Sequence, residues 1–190
     1  MNREIEGMLE TCHSSELIYD GKVLRFFVDQ IKLPNGRLAE REYARHRGAV
    51  CVLPLYEDGT VACVRQYRYA TGMMMLEIPA GKLDGDEDRA IAARRELREE
   101  TGCSCGRLTS LGKFYTSPAI LDECIEMFLA EELTEGETDF DDDEFLQPLR
   151  IPLEELVNMV MAGEVPDVKT QAAVMRVNEL LRRRREKQDT

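Results

Sequence analysis

Glu96, Glu99 and Glu100 stand at i, i+3 and i+4 in the stretch AIAARRELREETG, residues 90–102. On a helix that spacing puts three carboxylates on one turn, where each like-charged pair costs a few tenths of a kcal/mol. Arg94, Arg95 and Arg98 relieve part of the repulsion. Two readings follow from the residues alone. The cluster is a solvated charged face, as acidic runs on helices usually are. Alternatively it holds a hard divalent cation such as Mg²⁺, which takes oxygen ligands and keeps several waters. A cation there could bridge phosphate oxygens and activate a water. Ala92 and Ala93 allow the opposite face of the helix to pack closely, and the glutamate face is expected to stay exposed. Gly81 and Gly85, in the loop ahead of the helix, permit tight turns and close backbone approach.

These residues need a frame. Asp86–Thr101 reads as the helix, with Gly102 as its C-terminal cap. Before it, Lys22–Leu33 and Leu38–Arg45 read as two strands joined by a turn at Pro34-Asn35-Gly36. Ala49–Leu55 is a buried strand, Val61–Gln66 its hairpin partner, and Met74–Ile78 a short strand ending in Pro-Ala-Gly. Leu108–Phe114 and Cys124–Ala130 follow as strands. Pro152–Ala162, with Pro152 at its first helical position, and Thr170–Arg184 read as the last two helices. Strands and helices interleave without regular βαβ alternation, which favours a mixed sheet flanked by helices.

Composition narrows the function classes. The 190 residues suit one domain with a short extension, and at 43% hydrophobic the chain can bury a substantial core. A formal charge of −12 disfavours nucleic acid, which needs a basic face. No apolar run approaches a membrane span, and Met1–Thr11 is too polar for a signal peptide. The six cysteines lack a scaffold spacing and read as reduced thiols in a cytoplasmic protein. Cys103 and Cys105 have no second pair to complete a metal site. Cations concentrate in REYARHR (41–47) and RQYR (65–68), acidic residues in 131–144, and the basic end of the chain reads as a solvated tail.

Gly81, Glu87 and then Arg95-Glu96-Leu97-x-Glu99-Glu100-x-Gly102 resemble the Nudix box at every fixed position. The resemblance implies a Nudix α/β/α sandwich with a mixed β-sheet, preceded by a small N-terminal antiparallel β extension. It divides the chain into residues 1–47, a dimerisation element, and 48–190, the Nudix hydrolase domain. It implies Mg²⁺, with Mn²⁺ as a substitute, held by Glu96, Glu100 and the Ala80 carbonyl, with Glu99 beside them. Gly81, Glu87, Arg95 and Gly102 would be structural, Glu87 and Arg95 tying loop to helix.

REYARHRGAVCVLPL, VRQYRY, EIPAGKLD and YTSPAILDE extend the resemblance to the ADP-ribose pyrophosphatase branch, across most of residues 16–180. It implies that Arg41, Glu42 and Arg68 contact the ADP or diphosphate portion of the substrate. A guanidinium suits that task, since it grips phosphate oxygens through two parallel hydrogen bonds. Ser117, Pro118 and Glu123 would place the terminal ribose. Ala119, Ile120 and Leu121 make that loop more apolar than in relatives. In the acidic run DFDDDEF (139–145), Glu144 before Phe145 would be the general base or a late metal ligand, with Asp142 in reserve. The implied activity is hydrolysis of ADP-ribose to AMP and ribose 5-phosphate by a homodimer, with no nucleic-acid or membrane partner. Hydrolysis of another nucleoside diphosphate sugar such as GDP-mannose is the alternative, and a non-catalytic nucleotide sensor is the alternative of another class.

Overall fold

The computed structural model describes residues 7–140 and 145–188. Two compact units divide them: the segment ending at Gly48 together with Tyr115–Cys124, and Ala49–Phe114 together with the residues from Ile125 onward.

In the first unit β1 (Thr11–Asp20), β2 (Leu24–Lys32) and β3 (Leu38–His46) form an antiparallel sheet in that order. The expected turn joins β2 to β3, with Gly36 at φ 83°. That left-handed geometry carries little strain only for glycine. β1 was not legible in the sequence. Every one of its residues is exposed, so no apolar alternation marks it. The segment 115–124 is held against β3: Ala44 N donates to Ile120 O at 2.8 Å, and His46 N to the Asp122 carboxylate at 2.7 Å.

The second unit contains β4 (Ala49–Pro54), β5 (Thr60–Arg68), β6 (Met73–Glu77), β7 (Ala80–Lys82), α1 (Arg89–Thr101), β8 (Ser104–Tyr115) and β9 (Cys124–Thr134). β10 (Gln147–Pro152), α2 (Leu153–Met161) and α3 (Val168–Gln188) complete it. A mixed sheet runs β7-β4-β9-β8, with β4 antiparallel to β7 and parallel to β9, and a second sheet runs β10-β5-β6. The expected hairpin between Ala49–Leu55 and Val61–Gln66 is therefore corrected. A single bridge, Leu55 to Val61, links those segments, and β5 pairs instead with β6 and β10. Both runs are apolar, and hydrophobicity alone does not select a partner. Pro152 is likewise the N-cap of α2 rather than its first helical residue, β10 extending up to it.

Burial explains the layers. Every residue of β4 is buried, so its side chains feed two cores. Val50 and Val52 pack with Ala92, Ala93 and Leu97 of α1, beside Phe128 and Ala130 of β9. Cys51 and Leu53 face the other way, towards Leu156 of α2 and Ala173, Val174 and Val177 of α3. The result is the expected α/β/α sandwich, with α1 laid along the β4–β7 edge.

Candidate metal centre and diphosphate site

Asp88 starts α1: its carboxylate accepts from Ala90 N at 2.9 Å and Ile91 N at 3.2 Å, satisfying donors left open by the first turn. Gly102 ends it at φ 72°, donating to Arg98 O. With Ala92, Ala93 and Leu97 fully buried, the phase of the helix is fixed, and that phase decides where the glutamates go.

The expectation of an exposed glutamate face is corrected here. Glu96 is 7% exposed and Glu100 only 2%, both turned into the protein beside β7. A methyl group at Gly81 would overlap the Glu96 carboxylate, so the glycine leaves the space in which that carboxylate lies. Glu100 Oε1 stands 3.4 Å from Ala80 N. Helix and strand thereby bring together Glu96, Glu100 and the Ala80 backbone.

Arg95 joins the loop to this cluster. It reaches Glu87 through Nε at 3.2 Å and Nη2 at 3.0 Å, and the Lys82 carbonyl at 3.2 Å. Its Nη1 donates to Glu96 at 2.7 Å and Glu99 at 3.0 Å. Hydrogen bonding to Glu87 raises the Arg95 pKa further, and in return Arg95 holds the Glu87 carboxyl below its usual range. Glu99 is half-buried and faces Arg95 and Arg98 rather than β7. The acidic run begins next to it: Asp139 N donates to Glu99 O at 3.0 Å, and Arg98 pairs with the Asp139 carboxylate at 3.0 Å. Asp142 and Glu144 lie outside the described residues.

Arg68, at the end of β5, is held in a fork by Glu77 of β6, Nε to Oε1 at 2.7 Å and Nη2 to Oε2 at 2.6 Å. Glu77 is fully buried, and Lys169 of α3 contacts its Oε2 as well. Burial alone would raise the Glu77 pKa, but hydrogen bonds from Arg68 and Lys169 outweigh it and the carboxyl titrates low. Arg68 is raised, first by Glu77 and to a lesser degree by the charges of Asp167 and Glu100.

The remaining expected residues belong to the first unit. Arg41, on β3, forms a fork with Glu10, and Glu42 is exposed beside it. Ser117 O accepts from Ile120 N at 3.0 Å and Leu121 N at 2.9 Å, closing a turn through exposed Pro118. Glu123 Oε2 accepts from Thr116 at 2.8 Å. Its Oε1 lies 3.5 Å from His46 Nδ1, which itself accepts from Gly48 N at 3.1 Å. Sequence reasoning missed Glu77 and Lys169. The signal was an isolated charge between Leu76 and Ile78, where a strand interior is otherwise apolar.

Residues 45–179, well over half of the chain, match the NUDIX domain. The chain belongs to the NUDIX family. It is 40% identical to an ADP-ribose pyrophosphatase of Bacillus subtilis (strain 168) over 172 residues, covering 90% of this chain and 93% of that protein. To a methanol dehydrogenase activator of Bacillus methanolicus it is 38% identical over 162 residues, 84% and 88% of the two chains. A crystal structure described as an ADP compounds hydrolase matches with a TM-score of 0.79 at 24% identity, over 92% of this chain and 95% of that one. This last likeness shows the fold.

NUDIX hydrolases generally use a divalent metal, and the donors present fit one. Among the described residues no three His, Cys, Asp or Glu side chains gather as a ligand group. Glu96 and Glu100 nevertheless bring carboxylate oxygens, the donor type a hard cation prefers, to the same side of α1 beside Gly81 and Ala80. Among the described residues no helix is long and apolar enough to cross a membrane.

Proposed function

We propose that this NUDIX protein hydrolyses ADP-ribose to AMP and ribose 5-phosphate with Mg²⁺, Mn²⁺ serving as a substitute. The observation that carries the reading is the placement of the Glu96 carboxylate over Gly81, with Glu100 against Ala80. Glu96, Glu100 and the Ala80 carbonyl would hold the cation, which when bound supplies charge stabilisation at the diphosphate and a more acidic water. Glu87 and Arg95 keep that cluster registered against the loop, with Glu99 as a further carboxylate beside it. Arg68 binds the diphosphate. Glu77 engages two of its five N–H bonds, and among the described residues the other three are left for phosphate oxygens. Glu144, with Asp142 in reserve, accepts the proton of the attacking water, whose oxygen bonds to one phosphorus as the P–O–P bridge breaks. Glu123 accepts from a hydroxyl of the terminal ribose in the loop begun by Ser117-Pro118, while Arg41 and Glu42 contact the ADP portion.

We further infer a homodimer in a reducing compartment, the cytoplasm. Leu17, Tyr19, Leu24 and Phe26 are exposed apolar side chains on neighbouring strands β1 and β2. Cys12, Cys51, Cys63, Cys103 and Cys105 are free thiols, Cys12 while exposed. Light scattering of the purified chain tests the dimer, and a monomer at micromolar concentration rejects it. The catalytic reading is tested by measuring kcat/KM with Mg²⁺ across ADP-ribose, GDP-mannose and other nucleoside diphosphate sugars. ADP-ribose should lead, with AMP and ribose 5-phosphate as products. A lead for GDP-mannose would replace the substrate, and no hydrolysis of any compound would reject the enzyme.

A further inference from the structure

The Arg68–Glu77 fork does not end at the carboxylate. Lys169 Nζ contacts Glu77 Oε2 and, at 2.9 Å, Asp167 Oδ1. Asp167 Oδ2 accepts from Thr170 N at 2.9 Å and from the Thr170 hydroxyl at 2.5 Å, at the start of α3. The Thr170 oxygen then accepts from Ile78 N at 2.9 Å, two residues before Ala80. Two cations and two carboxylates therefore alternate in a line, Asp167, Lys169, Glu77, Arg68. Three of the four are at most one-eighth exposed at the side chain, Asp167 at 12%, Lys169 at 10% and Glu77 at 1%, whereas Arg68 is 41% exposed. The negative end is absorbed by donors of α3, and the positive end reaches solvent.

Such a line is costly to bury unless every member is paired. A core that needed only packing would be served by apolar residues of similar volume. The arrangement has a second consequence. The four formal charges cancel, and their alternation sets the cationic end of the line, the Arg68 guanidinium, at the open side. The fork also removes rotamer freedom from a long side chain, so less orientation has to be lost when an anion arrives.

We propose that Glu77 and Lys169 are positioning residues that hold the Arg68 guanidinium in a fixed orientation for an anionic diphosphate. This rests on the reading that Arg68 contacts the substrate diphosphate, and the experiment separates the two. KM and kcat for ADP-ribose with Mg²⁺, and the thermal midpoint, are measured for Arg68→Ala, Glu77→Gln, Lys169→Met, Lys169→Arg and the double variant Arg68→Ala/Glu77→Gln. Glu77→Gln conserves volume and keeps the test open should Lys169→Met fail to fold. Arg68→Ala should raise KM about tenfold or more. Glu77→Gln should raise KM about tenfold with kcat changed by less than about threefold, and Lys169→Arg should retain most of the binding that Lys169→Met loses. In the Arg68→Ala background Glu77→Gln should add less than about twofold, because both act through one guanidinium. A KM unchanged in Arg68→Ala overturns the diphosphate role of Arg68 and this proposal with it. A raised KM in Arg68→Ala but not in Glu77→Gln, or effects that multiply in the double variant, overturns the positioning role alone.

Discussion

Glu96 and Glu100 share a residue type and a helix face, but their surroundings differ, and so do the expected effects of replacing them. Glu100 is almost fully buried against β7, and Glu100→Gln, which conserves its volume, should leave the fold intact. Glu96 also carries the 2.7 Å bond to Arg95, and Glu96→Gln should cost some stability. Activity should fall by about a hundredfold or more in both, since as the proposed ligands they would position the cation at the developing charge. Differential scanning fluorimetry in EDTA beside a hydrolysis assay checks the pair, and near-normal turnover in both would remove the metal-site assignment. Gly81→Ala offers an independent test, because its methyl group displaces the Glu96 carboxylate without changing any charge. It should lower activity as Glu96→Gln does. In the acidic run, Glu144→Gln should lower kcat with little change in KM. That phenotype in Asp142→Asn instead would move the base to Asp142. The spacing of these glutamates was legible in the sequence. Their burial was not, because it follows from the contacts of Ala92, Ala93 and Leu97 with β4, which a helical pattern alone does not reveal.

Element boundaries were legible where local chemistry sets them. α1 is closed at Gly102 as its sequence indicates, but it opens at Arg89, three residues after the expected Asp86, because the Asp88 side chain caps it. Asp88→Ala should therefore destabilise the protein by about 1 kcal/mol, lowering the thermal midpoint by roughly 2–4 °C in a chain of this size. A midpoint unchanged within a degree would show that packing, not the cap, sets this end. Strand partners were less legible. β1 carries no buried residue, β7 is three residues long, and β10 contains two prolines, so none gives an alternating pattern. β5 was assigned the preceding strand β4, whereas the structure pairs it with the following strand β6 and with β10, which arrives more than seventy residues later. Such a choice is settled by long-range packing, and local sequence does not encode it. The same holds for Lys169, whose carboxylate partner Glu77 lies 92 residues away.

Across the whole molecule, titration should set two limits on stability. Burial pushes the thiols of Cys51 and Cys63 up to about 12 from an ordinary value of 9.0. The unfolded chain ionises them first, so stability present below pH 9 should be lost progressively as pH rises towards 12. Glu77 acts in the opposite sense. Its carboxyl is lowered in the folded chain, so its contribution is present above the ordinary value of 4.5 and lost as pH falls through the folded value. Thermal midpoints should be flat between those windows and fall outside them. An unchanged midpoint from pH 8 to 11 would contradict the burial of the thiols. The α/β/α sandwich and the family were legible because both rest on one contiguous motif with fixed spacing. The proposed assembly and choice of sugar would rest on β1 and on the loop 115–124, whose chemistry is decided by what approaches them. The central claim is that the carboxylates of α1 make this chain a diphosphate hydrolase. The most direct test is the release of AMP from ADP-ribose with Mg²⁺ by wild type and Glu100→Gln side by side. The account predicts AMP from the wild type and a loss of about a hundredfold or more in the variant, with its fold intact. No AMP from the wild type, or equal rates from both, would contradict it.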